Sequence, residues 1–154
     1  AMGWLEENLK LNEQNGALAH HGEHHAHALP VDKALKSLHS QGKQFDLILT
    51  DPPPSSFDGK RQVNALEQTE KQLEDFIALL APKGTLIAML NHHQISLQKF
   101  RQRIEKVLEE KKLKQDLKIN TSYALQEDCR PPKGLPEENY LKVLTIQKKA
   151  LKNC

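Results

Sequence analysis

Apolar side chains recur in two rhythms along this chain, a spacing of about 3.6 residues and short, nearly continuous runs, and their alternation sets the expected elements. Trp4, Leu5, Leu9 and Leu11 fall at near-helical spacing before an Asn15-Gly16 stop, which predicts a helix over 4–15. A short apolar stretch from His27 to Val31 reads as a strand, followed by a helix from Asp32 to Leu38 with Ala34, Leu35 and Leu38 on one face. Gln44 to Thr50 holds Phe45, Leu47, Ile48 and Leu49, the run expected of a strand buried on both faces. It stops at Asp51-Pro52-Pro53-Pro54, because consecutive prolines continue neither a ladder nor a helix interior. A helical pattern from Val63 to Leu80 breaks at Pro82 and Gly84, and Thr85 to Leu90 is a further strand ending in Asn91-His92-His93. Ser96 reads as the N-cap of a helix to about Lys112, in which Phe100, Ile104 and Leu108 recur every four residues as core. Leu117 to Tyr123 and Tyr140 to Gln147 read as the last strands.

Strands alternating with helices imply an α/β fold, a mainly parallel sheet with helices on both faces and right-handed crossovers. Ligands of such sheets bind beyond the carboxyl ends of the strands, where Asp51 and Asn91 lie. The 154 residues suit a single domain, with 38% hydrophobic and 27% charged residues in an ordinary globular balance. No apolar run approaches the roughly 20 residues a membrane span needs.

Charge and special residues narrow the chemistry. The 22 Lys and Arg nearly cancel the 20 Asp and Glu, so the chain offers no overall field for nucleic acid and any RNA contact must be local. Aromatic residues at 5% exclude a broad stacking platform. Cys129 and Cys154, far apart, are no disulfide framework and suit a reducing cytoplasm. His20, His21, Glu23, His24, His25 and His27 crowd into eight residues, but Gly22 opposes a common helix face; the expectation is a solvated, partly protonated loop and no metal site. Lys99, Arg101, Arg103, Lys106, Lys111, Lys112 and Lys114 are interleaved with Glu105, Glu109 and Glu110, the pattern of a solvated helix face.

Four ordered segments carry a family resemblance. Phe45 to Pro53 resembles the fourth strand and D/N-P-P motif of class I S-adenosylmethionine-dependent methyltransferases. Trp4 to Asn12 resembles the W-x-x-x-N-x-x-L-N helix after the second strand in the branch that methylates large-subunit ribosomal RNA. Leu29-Pro30-Val31-Asp32 is similar to the third-strand motif, and Leu135 to Lys142 resembles the F-P-E-x-x-Y-L-K segment leading into the last strand. The resemblance implies a partial Rossmann-like fold, the C-terminal portion of a catalytic domain with the first two strands missing, and the family's strand order 3-2-1-4-5-7-6. It implies S-adenosylmethionine as cofactor, with Asp32 on the adenine amine and Asp51 touching cofactor or base. Asp51, Pro52, Pro53 and Asn91 would form the catalytic pocket, for an RNA base as substrate.

Two departures matter. The Gly-rich cofactor loop has no place in the three residues ahead of Trp4, so the chain alone is expected to be inactive. The position where 5-methylcytosine-forming relatives carry a Cys reads Leu90-Asn91-His92-His93, so a thiolate mechanism is not expected and direct attack by a base atom remains. Loss of strands 1 and 2 would bare an apolar strand edge, for which rearrangement or homodimerisation is expected. The alternative is a catalytically silent, dimeric binding or assembly module on the same fold.

Overall fold

The computed structural model describes residues 2–15, 25–57, 60–92, 94–120 and 141–150. The chain divides into two compact units, Ala1–Ser37 and Leu38–Cys154. In the first, helix α1 spans Met2–Gln14. Asn12 Nδ2 donates to the Asn8 carbonyl at 2.7 Å, and the helix leaves Trp4, Leu5 and Leu11 largely exposed. Helix α2, Val31–Ser40, begins in this unit and runs into the second. The amides of Lys33 and Ala34 bond the Pro30 carbonyl at 2.9 and 3.0 Å, and Leu35 is buried.

The His27–Val31 strand is not formed. Residues 25–30 have no regular structure, and Val31 already belongs to α2. A strand persists only with a neighbour to share its ladder, and no described strand pairs with this segment.

The second unit is built on strands β1 (Phe45–Thr50), β4 (Leu80–Asn91), β5 (Leu117–Asn120) and β6 (Leu141–Lys148), with a small hairpin of β2 (Ser55–Phe57) and β3 (Gln62–Asn64). The main sheet runs β1-β4-β6-β5, which is the 4-5-7-6 portion of the strand order that the resemblance implied. β1 pairs parallel with β4, while β6 enters antiparallel between β4 and β5. Helices α3 (Ala65–Leu79) and α4 (Leu97–Glu110) cover one face of this sheet. Leu86, Ala88, Leu90, Leu144 and Ile146 pack there with Leu73, Phe76, Phe100, Ile104 and Leu108, all buried.

β1 is an edge strand, and this corrects the expectation of burial on both faces. Leu47 and Leu49, in register with Thr85 and Ile87, remain 59% and 57% exposed. β4 is the edge's sole described neighbour, so the apolar run meets protein on one side and nothing described on the other.

Helix ends explain the remaining local structure. Asn64 and Ser96 cap α3 and α4, their side chains accepting from the amides of Glu67 (2.9 Å) and Lys99 (3.2 Å). At the other end of α3, where the Leu80 amide bonds the Ile77 carbonyl, Lys148 Nζ on β6 donates to the carbonyls of Ile77 (3.3 Å) and Leu80 (2.8 Å). β4 therefore follows α3 with no spacer, taking in the Pro82 and Gly84 that mark the expected break. Phe45 pairs with Leu80 and Leu47 with Thr85, so residues 81–84 bulge from the ladder within β4, with Lys83 at φ +67°. A Cβ on Gly84 would lie 2.8 Å from the carbonyl oxygens of Ala81 and Phe45, a close approach only glycine permits. Several cations of the basic run along and after α4, expected as a solvated face, meet carboxylates. Arg101 meets Glu105 at 2.8 Å, Lys111 meets Glu74 at 2.6 Å and Lys114 meets Glu109 at 2.5 Å. The bonded carboxylates raise the pKa of Lys111 and Lys114.

Candidate active site

The carboxyl end of the β1–β4 pair gathers the chemistry. Thr50 pairs with Ala88, so the two parallel strands run out at the same end of the sheet. Asp51 lies one residue beyond that pairing and Asn91 three. Asp51 is exposed, Pro52 behind it is buried, and Pro53 is exposed. One proline thus anchors the turn in the core while the carboxylate faces solvent. Asn91 is half-buried and pairs with Leu141 at the start of β6.

The loop leaving Asp51 is fastened to α3 at several points. The Ala65 amide donates to the Pro54 carbonyl at 3.2 Å, and Ser56 Oγ donates to Gln68 Oε1 at 2.9 Å. The hairpin pairs Ser55 with Asn64, Ser56 with Val63 and Phe57 with Gln62, and Val63 is buried. Its two strands, three residues each, are too short for periodicity to reveal, though Gly59 within the connection was an available signal. At its outer end Phe57 is 70% exposed.

A second feature missed from sequence is Lys142, paired with Leu90 and only 5% exposed. Its Nζ donates to the His92 carbonyl, tying the segment after Asn91 to the central strand. A buried ammonium is costly unless its protons find acceptors, so this bond fixes both strand ends. The last residue of the quoted F-P-E-x-x-Y-L-K segment was the only pointer to it.

The parallel register therefore puts Asp51, Pro52, Pro53 and Asn91 at the same end of the sheet. Asp32 belongs to the other unit, half-buried in the first turn of α2, where the helix dipole favours a carboxylate. His20, His21, Glu23, His24, Cys129, Cys154 and 135–140 lie outside the described residues. Among the described residues no group of three His, Cys, Asp or Glu is arranged to hold a metal ion, and no helix is long and apolar enough to cross a membrane.

A nucleoside-sulfonium cofactor needs acceptors for its nucleoside half and a close backbone approach for its methionine half. Asp51 and the exposed Pro53 offer an acceptor and a stiff wall at the strand ends. The described glycines, Gly3, Gly42 and Gly84, lie in α1, in the turn after α2 and in the bulge against Phe45. None forms a glycine-rich strand-to-helix turn of the kind that approaches the methionine half of such a cofactor.

No family model matches the chain. The sequence is 34% identical over 106 residues, 69% of the chain, to YwbD of Bacillus subtilis (strain 168), provisionally assigned as a ribosomal RNA large subunit methyltransferase. It is 28% identical over 100 residues, 62% of the chain, to the ribosomal RNA large subunit methyltransferase K/L of Chromohalobacter salexigens. These matches cover 26% and 12% of the relatives' own lengths, so the chain spans about a quarter or less of each. Among solved structures, SMU.776, a provisionally assigned methyltransferase complexed with SAH, superposes with a TM-score of 0.64 at 24% identity. That match covers 77% of this chain and 30% of the other, and establishes the Rossmann-like fold.

Proposed function

We propose that this chain, which resembles part of the catalytic domain of the large-subunit ribosomal RNA methyltransferases, is the acceptor-side portion of an S-adenosylmethionine-dependent enzyme that methylates an RNA base. The observation that carries this reading is the shared carboxyl end of β1 and β4 in a sheet ordered β1-β4-β6-β5, the end at which Asp51-Pro52-Pro53 and Asn91 follow their strands. S-adenosylmethionine supplies an electrophilic methyl group when bound. Asp51 orients the base by accepting from an amino or ring N–H, Pro53 walls it, and Asn91 completes the pocket. Asp32 accepts from the adenine amine of the cofactor. Leu90-Asn91-His92 offers no thiol at the strand end, which favours direct attack by a base atom over a thiolate adduct. An RNA substrate places the protein in the cytoplasm. Calorimetry with S-adenosylmethionine on the complete gene product tests the reading. Saturable binding weakened by Asp32→Ala, and methyl transfer to RNA abolished by Asp51→Ala with binding kept, are expected; no binding by the complete product overturns it.

A second reading has its own observation. Leu47 and Leu49 lie exposed on an open strand edge, a surface suited to pairing with the same edge of another copy. On that reading the chain is a silent, homodimeric assembly module. A cofactor-binding complete product that stays monomeric rejects it.

A further inference from the structure

We infer that the β2–β3 hairpin is a nucleotide-stacking finger, in which Phe57 receives an unpaired base of RNA and Lys60 and Arg61 hold the adjoining phosphates. The inference rests on the RNA-methylation reading for its substrate class and adds a contact surface outside Asp51, Pro52, Pro53 and Asn91.

Three observations converge on it. Phe57 is 70% exposed, an aromatic ring presented to solvent where burial would be favourable. The ring is not there through looseness. Ser56, the neighbour on the opposite face of β2, bonds Gln68 on α3, the Pro54 carbonyl is bonded by Ala65, and Val63 on β3 is buried. The alternation of a strand then directs Phe57 away from α3. A rigid base with an outward ring is the geometry a stacking contact needs, since little order has to be gained on binding.

Charge supplies the second element. Lys60 and Arg61 close the same hairpin and are exposed, and Asp58 is the only acid of the connection by sequence. Arg61 Nη1 lies 3.0 Å from Glu67 Oε2 with its side chain 65% exposed. Among the described residues Glu67 Oε2 nevertheless has no hydrogen-bond partner, so this is a charge contact without bond geometry. The Arg61 side chain is an exposed guanidinium fork, the group that binds phosphate oxygens well.

Position is the third. The hairpin is the direct continuation of Asp51-Pro52-Pro53-Pro54, five residues separating Asp51 from Phe57 along the chain. A strand of RNA entering the carboxyl end of β1 and β4 passes this finger. In a near-neutral chain any RNA contact has to be local, and the hairpin sets two cations beside one exposed aromatic ring.

The test is anisotropy of a fluorescein-labelled single-stranded 12-nucleotide RNA titrated with the 154-residue chain. Phe57→Ala is expected to weaken binding about tenfold and Phe57→Trp to preserve it, from the usual value of one stacked base. The double change Lys60→Ser with Arg61→Ser is expected to flatten the dependence of log affinity on log salt by about 1.4, two single-strand phosphates. Phe57 touches no core, so circular dichroism and melting should match the parent in every variant. Equal RNA affinity for the parent and Phe57→Ala overturns the finger, as does no binding by the parent. A Phe57→Ala effect on sedimentation alone overturns it too, since it would mark a protein interface. Cofactor titration of the complete product is a separate readout: its failure alone sinks the methylation reading, and unchanged RNA affinity alone sinks this one.

Discussion

Arg103 on α4 grips Glu70 on α3 with two parallel hydrogen bonds of 2.6 Å, Nε to Oε1 and Nη2 to Oε2. The fork is planar on both sides, so it fixes helix orientation as well as distance. The hydrogen bonds to the Glu70 carboxylate raise the guanidinium pKa further above its ordinary value. Arg103→Lys keeps the charge and loses the fork. A cost of about 0.5–1 kcal/mol is expected, because the arginine is still 47% exposed and exposed pairs rarely exceed that. Urea unfolding at low and high salt checks it, and the difference between the two proteins should shrink at high salt.

Glu105 supplies the pH dependence. Its hydrogen bond with Arg101 holds its pKa below the ordinary 4.5 against the opposing effect of burial, with Lys114 adding to the depression. The folded carboxylate therefore binds its proton less readily than the unfolded one. The stabilisation is complete above the unfolded pKa and drains away as pH falls through the folded value. Comparing urea midpoints at pH 7 and pH 3, Glu105→Gln should lose less stability on acidification than the parent. A steeper acid loss in the variant would contradict this account.

Two helices end in the same motif with different residues. After α2 the amides of Gly42 and Lys43 bond the carbonyls of His39 and Leu38, and after α4 those of Lys112 and Leu113 bond Glu109 and Leu108. The pivot is left-handed in both, φ +65° at Gly42 and +57° at Lys112. Lysine pays a Cβ penalty there that glycine avoids. Lys112→Gly should stabilise by up to about 1 kcal/mol and Gly42→Lys should destabilise by a similar amount, read as opposite shifts in melting temperature.

Elements with many residues in one rhythm were legible in the sequence. Phe100, Ile104 and Leu108 give α4 away, and Ser96 caps it where its side chain reaches the Lys99 amide. The Asp51-Pro52-Pro53 stop locates one end of β1 because proline chemistry is local. What sequence could not reveal depends on neighbours. Leu47 and Leu49 read as buried since the run shows apolarity and not whether a strand lies alongside. His27–Val31 fails as a strand for the same reason, with no described partner. Lys142 is invisible because a lysine in an alternating strand looks solvated until the His92 carbonyl is placed beside it. Of the site, Asp51, Pro52, Pro53 and Asn91 share one end of the sheet through the parallel register, while the hairpin carrying Phe57 left no period to detect.

The open edge of β1 makes a prediction about association. At rising concentration the parent chain should show a mass climbing toward the dimer in sedimentation equilibrium. Leu49→Lys, which sets a charge on that edge, should hold it at the monomer with unchanged helix content. A parent that remains monomeric throughout removes the edge as a dimer surface.

One of the two inner strands of this sheet, β6, is the last of its four to leave the ribosome. β6 lies between β4 and β5, and among the described strands β5 has no other partner. A nascent chain that has not yet produced Leu141 thus carries β4 with one flank bare and β5 unattached. The tie from Lys148 to the end of α3 is also still missing. The strand that joins β5 to the rest of the sheet is made last, so assembly has to wait for its keystone, and interrupted translation products of this protein are natural clients for chaperones or proteases.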